Sequence, residues 1–270
     1  MNNLTQGQPA FVVTKEYRRF VEFCEACRRY QYIGICHGLP GVGKTWSARH
    51  YARWDELGPL VESDGFNPTL PNHVHECHAV VYTPTVTTNP SQLARALYLL
   101  CSRFADLVEH AVSQHEQRKP RVLPPACTDL IIVDEADRLK MAGLEQLRDI
   151  YDRQQLGLIL IGMPGLEKRL ARYPQLYSRV GFVHTFRPLS QEELQFILNQ
   201  KWTSFGKALD MDDFTDAEAV AAIARITSGN LRLLHRLFTQ IERIMEINHL
   251  QTLTKEVVEA AREGLVTGPL

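Results

Sequence analysis

Neither sign of charge prevails in this chain of 270 residues: 30 lysines and arginines face 31 aspartates and glutamates, a net charge of -1. The chain therefore lacks the global basic footprint of a nucleic-acid binder, and any DNA contact has to come from a local patch. No apolar run approaches the length of a bilayer span, and the opening stretch MNNLTQGQPAF has no basic region followed by a hydrophobic segment. A cytosolic protein without a membrane partner is expected. Cysteine is sparse: Cys24, Cys27, Cys36, Cys77, Cys101 and Cys127, in a chain of this length without a secretory signal, read as reduced thiols and not as a disulfide framework. Internal repeats and low-complexity tracts are missing as well. What is present is a 44% hydrophobic content, enough for the core of one large domain or two small ones, which excludes disordered and collagen-like architectures.

The apolar periodicity organises this content. Thr14 can cap a helix to about residue 30, with Tyr17, Phe20, Val21 and Cys24 spaced for one buried face. A strand at 32–36 runs into a glycine-rich turn and a helix at 44–54 that is expected to stop before Gly58-Pro59. Strands are also expected at 79–83, 130–135, 156–162 and 181–186, separated by helices near 91–112, 142–154 and 164–171. Such alternation predicts an α/β class with a parallel sheet covered by helices on both faces. From Pro188 onward only helices follow. Ser190 with Glu193 and Thr215 with Glu218 have capping-box spacing, Gly229 precedes a long periodic helix at 231–248, and Thr254 and Gly264 bracket a last one. Two domains are thereby expected: an α/β core over 1–187, including the helix at 14–30, and an all-helical subdomain over 188–270.

The turn after the first strand reads Gly38-Leu39-Pro40-Gly41-Val42-Gly43-Lys44-Thr45, which satisfies G-x-x-x-x-G-K-[ST] between a strand and a helix. Glycines there let backbone N–H groups curl around phosphates, and the helix N-terminus adds a favourable dipole. Lys44 would reach the β/γ oxygens and the Thr45 hydroxyl would ligate Mg2+, which makes ATP and Mg2+ the expected ligands and Gly38, Pro40, Gly41, Val42, Gly43, Lys44, Thr45 and Trp46 the expected nucleotide-binding residues. The second half of such a site is a carboxylate at the end of a neighbouring strand. LIIVDEAD supplies Asp134 for the Mg2+ water shell and Glu135 as general base for the attacking water.

Taken together, the glycine loop, DEADRL, a further strand and the helical C-terminal part resemble an AAA+ ATPase. The stretch IIVDEADRLKMAGLEQLRDIYDRQQLGLILIGMPGLEKRL with YSRVGFVHTF is similar to the transposition-regulator branch of that family, the MuB and TnsC group, across most of residues 14–250. The resemblance implies an arginine that completes the site of the next subunit. Arg179 stands at that place, with Arg169 and Arg172 as nearby competitors. In SGNLRLL, Arg232 corresponds to the arginine that reaches the γ-phosphate from the helical lid. The strand at 156–162 ends in Gly162-Met163 where many members place Asn or Thr, which leaves the sensor at that position open. Implied partners are double-stranded DNA held through its phosphate backbone, a transposase, further copies of the chain, and a target-selection protein or CRISPR effector.

For DNA, Thr87, Thr88, Asn89 and Ser91 lie at a helix N-terminus, where hydroxyls and amide N–H groups can take a phosphate; an ordinary N-cap accounts for the same residues equally well. Arg118, Lys119 and Arg121 form the compact basic cluster nearby. Cys24-x-x-Cys27 has zinc-ligand spacing but falls inside a helix, and His73, His75, Cys77 and His78 form a cluster more easily explained as a histidine-rich loop than as a metal site. Two other functions compete with the transposition regulator: a nucleotide-switched protein scaffold, and a helicase-loader or secretion-type ATPase.

Overall fold

A computed structural model of the chain describes residues 11–63, 70–71, 73–120, 128–204 and 208–265. It divides into two compact units, Arg19–Arg187 on one hand and the residues up to Arg18 with those from Pro188 onward on the other. Among the described residues no helix is long and apolar enough to cross a membrane.

The first unit is built on five parallel strands in the order β2-β3-β4-β1-β5. They are β1 (Ile33–His37), β2 (Ala79–Tyr82), β3 (Leu130–Val133), β4 (Gly157–Gly162) and β5 (Val180–Thr185). β3 and β4 are buried at every position, and β1 at all but its last. The Ile, Leu and Val runs of β3 and β4 are what strands covered on both faces require. β5, at the sheet edge, alternates half-buried and exposed residues instead. α1 (Lys15–Tyr30), whose residues from Arg19 on belong to this unit, precedes β1, and the connections supply α2 (Lys44–Tyr51), α3 (Trp54–Glu62), α4 (Pro90–His115), α5 (Met141–Arg153), α6 (Leu166–Leu170) and α7 (Pro174–Tyr177). Register places Val133, Leu160 and Ile35 side by side across β3, β4 and β1; the chain leaves β3 there and leaves β1 and β4 together two residues later, at His37 and Gly162.

α1 starts as expected, with the Thr14 hydroxyl accepting the Tyr17 N–H at 3.1 Å. Its later turns lie against the sheet at glycines. A Cβ at Gly34 of β1 would stand 2.4 Å from the Cys27 Sγ and 2.6 Å from the Phe23 ring, and one at Gly157 of β4 would meet the Cys27 carbonyl oxygen at 2.6 Å. Gly34 therefore makes room for side chains of the helix, and Gly157 for its backbone. Cys24 and Cys27 are buried in this contact, and burial pushes the Cys27 thiol up to about 12 and the Cys24 thiol well above its usual range. Protonated, enclosed thiols fit the reading of structural cysteines.

Two local expectations are corrected. The helix expected at 44–54 does end before Gly58-Pro59, at Tyr51, but that pair is not what stops it: the chain breaks at Arg53 in the left-handed region (φ 51°), and a further helix, α3, runs through both residues where none was expected. Gly58 leaves room for the Trp54 indole, 3.1 Å from where a Cβ would be, and Pro59 costs one intrahelical bond in exchange for burying Leu57 and Val61. The strand at 130–135 ends at Val133, so the acid pair stands beyond the sheet.

The second unit packs α8 (Gln191–Ser204), α9 (Phe214–Thr227), α10 (Leu231–Ile247) and α11 (Lys255–Glu263) around Trp202, Leu198, Ile223, Phe238 and Ile241. The Ser190–Glu193 capping box is present: the Glu193 N–H donates to the Ser190 hydroxyl and the Ser190 N–H to the Glu193 carboxylate. The other one is not. Asp213 caps α9 by accepting the Thr215 N–H at 2.8 Å, Thr215 lies inside the helix, and Glu218 pairs with Lys255 at 3.2 Å. An aspartate two residues upstream outcompetes a threonine for the free N–H groups of the first turn.

Gly34→Ala is expected to destabilise the protein by about 1–3 kcal/mol through overpacking against Phe23 and Cys27. A urea titration should show a lower midpoint at unchanged slope, and an unchanged midpoint would mean that α1 does not rest on β1 there.

Candidate nucleotide site

The turn from β1 into α2 is shaped by three glycines with separate reasons to be glycine. Gly41 and Gly43 adopt φ of 80° and 110°, a region that residues with a Cβ rarely enter. Gly38 lies so close to β5 that a Cβ would stand 2.4 Å from the Phe186 carbonyl oxygen. Gly43 is the N-cap of α2 and has no side chain to cap it, and the first turn of the helix presents a positive pole toward the loop. Lys44 folds back across the loop, its Nζ donating to the carbonyls of Gly38 at 2.5 Å and Leu39 at 2.8 Å. A phosphate oxygen is the stronger, charge-assisted acceptor for the same ammonium. Trp46, next in the helix, is 38% exposed.

The glycine turn and the acid pair meet in one hydrogen bond. Thr45 Oγ1 donates to Asp134 Oδ2 at 2.6 Å, although 89 residues separate them in sequence. Asp134 is 3% exposed, and its other oxygen accepts the Glu135 N–H at 2.9 Å. This hydroxyl and carboxylate are the oxygen donors that could hold a divalent cation. Glu135 itself turns away from the strand direction with φ 52°, outside the range comfortable for a residue with a side chain. Its carboxylate forms an ion pair with Arg138, which also donates to the Pro84 carbonyl at 3.0 Å.

Two residues missed in sequence close this end of the sheet. Asp137 accepts the Met163 N–H at 2.7 Å, and a Cβ at Gly162 would stand 2.6 Å from the Asp137 carboxylate. The position left open for a polar sensor is thus one that Gly162 vacates so that Asp137 can reach the end of β4. Arg138 is the second, and its i,i+3 spacing from Glu135 was the available signal.

The remaining expected residues fall in different places. Arg169 donates to the carbonyls of Asp137 and Leu139 and so fastens the turn after the acid pair. Arg172 is exposed. Arg179, just before β5, grips Asp152 of α5 through Nε at 2.5 Å and Nη2 at 2.8 Å. Arg232 is exposed on the first turn of α10, in the helical unit, where Asn230 caps the helix by accepting the Leu233 N–H at 3.0 Å. At the start of α4, Asn89 and Gln92 form a complete capping box, and the Thr88 hydroxyl lies 2.8 Å from that of Thr85 and 3.5 Å separates the hydroxyls of Thr85 and Thr87. Ser91 is exposed in the first turn. Arg118 is held by the buried Glu109 at 2.5 Å and by Glu116 at 2.5 Å, Lys119 is exposed, and Arg121 lies outside the described residues, as does Cys127. Among the described residues no group of three or more His, Cys, Asp or Glu could hold a metal ion. His73 pairs with Glu56 at 3.0 Å, the ring of His75 stacks on His115, and His78 stands 3.4 Å from Asp129.

The family described as AAA domain matches residues 27–170, which takes in the glycine turn, the acid pair and the ends of β1, β3 and β4. The chain belongs to the AAA family. This AAA protein is 48% identical over 264 residues to a potential ATP-binding protein of Staphylococcus aureus, with 96% of the chain and 97% of the relative covered. It is 25% identical over 245 residues to the Mu-like prophage FluMu DNA transposition protein B of Haemophilus influenzae, covering 85% of the chain and 72% of the relative. Among solved structures, the Holliday junction branch migration motor RuvB of Thermotoga maritima superposes with a TM-score of 0.58 at 18% identity, over 94% of the chain and 70% of RuvB. At that identity the likeness concerns the fold, and it supports the AAA+ arrangement of sheet, covering helices and helical C-terminal part.

Nucleotide binding in this AAA protein should depend on Lys44. Lys44→Ala is expected to lower ATP retention on a filter by about ten- to a hundredfold, the range of a lost charge-assisted contact, with an unchanged far-UV circular dichroism spectrum. Full retention would detach the glycine turn from nucleotide binding.

Proposed function

We propose that this protein is a slow, Mg2+-dependent, assembly-coupled ATPase of the cytoplasm that oligomerises on duplex DNA with ATP and recruits or activates a transposase for target-site selection. The ATPase part is carried by the Thr45–Asp134 hydrogen bond, which brings the phosphate-binding turn and the acid pair together at the carboxyl ends of β1 and β3. The transposition part is supported by the likeness to a DNA transposition protein B along most of the chain.

The donor set suits Mg2+, which takes oxygen ligands, keeps several waters and asks only one or two groups of the protein. Thr45 and Asp134 would hold it, and when bound it would neutralise charge on the β- and γ-phosphoryl oxygens. The N–H groups of the glycine turn and the Lys44 ammonium then orient the phosphates. Glu135 orients and polarises the attacking water, for which its carboxylate has to exchange Arg138 for that water. Arg179 acts on the site of a neighbouring copy, and Arg232 answers to the γ-phosphate from the helical unit. Duplex DNA is held by Thr87, Thr88, Asn89 and Ser91 through phosphate oxygens, which makes binding largely independent of sequence. The protein-scaffold alternative gains from the engagement of Asn89 in its own cap and of Arg118 by two glutamates.

Glu135→Gln should retain ATP while kcat falls about a hundredfold, the lower range for loss of a general base. Equal steady-state turnover in variant and parent would exclude Glu135 as the base.

For DNA, filter-binding titrations should give tighter binding with ATP than with ADP and an affinity that falls as salt rises. Replacing Thr88, Asn89 and Ser91 together by Ala should weaken DNA binding without reducing ATP retention. Full affinity in the triple variant would move the contact to Arg118, Lys119 and Arg121, and no binding in ATP would leave the scaffold reading in its place.

A further inference from the structure

Arg179 does not project freely from the turn before β5. Its Nε and Nη2 grip the two carboxylate oxygens of Asp152 at 2.5 and 2.8 Å, while Nη1 donates to the Gln175 carbonyl and lies 3.4 Å from the Ser178 hydroxyl. Asp152 is fixed in its turn. Arg148, one helical turn earlier on α5, donates Nη1 to Asp152 Oδ2 at 2.6 Å and Nε to Glu145 at 2.8 Å. The row Glu145–Arg148–Asp152–Arg179 thus alternates in charge from the middle of α5 to the start of β5, and the two arginines hold the Asp152 carboxyl below its usual range, Arg179 foremost.

The energetics argue for orientation and not for stability. The side chains of Arg148, Asp152 and Arg179 are 22%, 27% and 31% exposed, and solvent-screened pairs of this kind add little to folding. A two-point grip on a planar guanidinium does something else: it removes most of the rotamer freedom of a long side chain and fixes the plane of the fork. It uses the Nε flank and leaves an N–H of Nη2 directed away from the carboxylate. A group that must meet a phosphoryl oxygen within a few tenths of an ångström profits from being oriented before the encounter.

We propose that Asp152, buttressed by Arg148, is a positioning residue that presents the Arg179 guanidinium to the nucleotide of a neighbouring copy. The inference rests on the reading of Arg179 as the arginine acting in trans. Asp152→Asn keeps the shape and gives up the charge, so the orientation loosens while the fold is retained.

The test uses the full chain with ATP, Mg2+ and duplex DNA. Asp152→Asn should lower kcat about tenfold, a loss of one orienting contact, with KM within about twofold, and Asp152→Glu should restore most of it. Mixing separates orientation from a folding defect. Subunits carrying Asp152→Asn have an intact base, and subunits carrying Glu135→Gln have an intact arginine, so an equimolar mixture should turn over several times faster than the mean of the two alone. Parent activity in Asp152→Asn, with Arg179→Ala inactive, overturns this proposal and leaves the trans arginine standing. Parent activity in Arg179→Ala overturns both. A mixture that gives only the arithmetic mean, with Asp152→Asn impaired, assigns Asp152 a local structural role and also overturns the proposal.

Discussion

Burial of the central strands on both faces is the constraint from which the site follows. β3 and β4 have no solvent-facing position and β1 has only its last, so polar groups can appear only where the strands end. Val133, Leu160 and Ile35 share one register line, at which β3 ends while β1 and β4 run two residues further, so the carboxyl ends of the three strands open close together. Asp134, the Asp137 turn, Gly162 and the glycine loop are therefore gathered along one edge without any of them having to cross the sheet. Parallel strands make this a single edge, since every carboxyl end points the same way, and ligands of open α/β sheets lie outside such an edge.

Close approach is the second theme, and it explains glycines that phosphate binding does not. Gly34 and Gly157 let α1 settle on β1 and β4, Gly38 lets the loop pass the Phe186 carbonyl, and Gly162 admits the Asp137 carboxylate. In each case the neighbour that a Cβ would strike is a backbone atom or a side chain held in the core or at the site, which leaves little scope for relief. Only Gly41 and Gly43 owe their identity to backbone conformation in the loop itself. A motif counted as three equivalent glycines thus contains one whose task is packing against β5.

The legible part of this protein was the part written in local pattern. Apolar runs bounded by turn residues gave the five strands in order, and the spacing of Gly38, Gly43, Lys44 and Thr45 pointed to phosphate before any fold was known. The acid pair was legible because a carboxylate at the end of an aliphatic strand is what the other half of a phosphate site requires, although the strand was expected to run through the pair and ends at Val133. What escaped was pairing at a distance. Asp137 on the Met163 N–H and Asp152 on Arg179 join residues 26 and 27 positions apart, and nothing in either segment names its partner. The helix through Gly58-Pro59 escaped for a related reason: propensity counts the breaker, whereas the burial of Trp54, Leu57 and Val61 decides.

Charge pairing also bears on how DNA could be held. Arg28, Arg118, Arg138, Arg148 and Arg179 all face carboxylates of the same chain, so the charge of these arginines is neutralised where it stands. A contact built on the hydroxyls and amide N–H groups around Thr87–Ser91 releases few counterions per copy, and a single copy would bind duplex DNA weakly. Such a surface gains strength only by repetition, as copies set side by side convert successive contacts into intramolecular ones. On the proposed reading, assembly and DNA binding would be two sides of one equilibrium: whatever orders an interface between copies, the presentation of Arg179 included, would raise the apparent affinity for DNA without adding a contact to it.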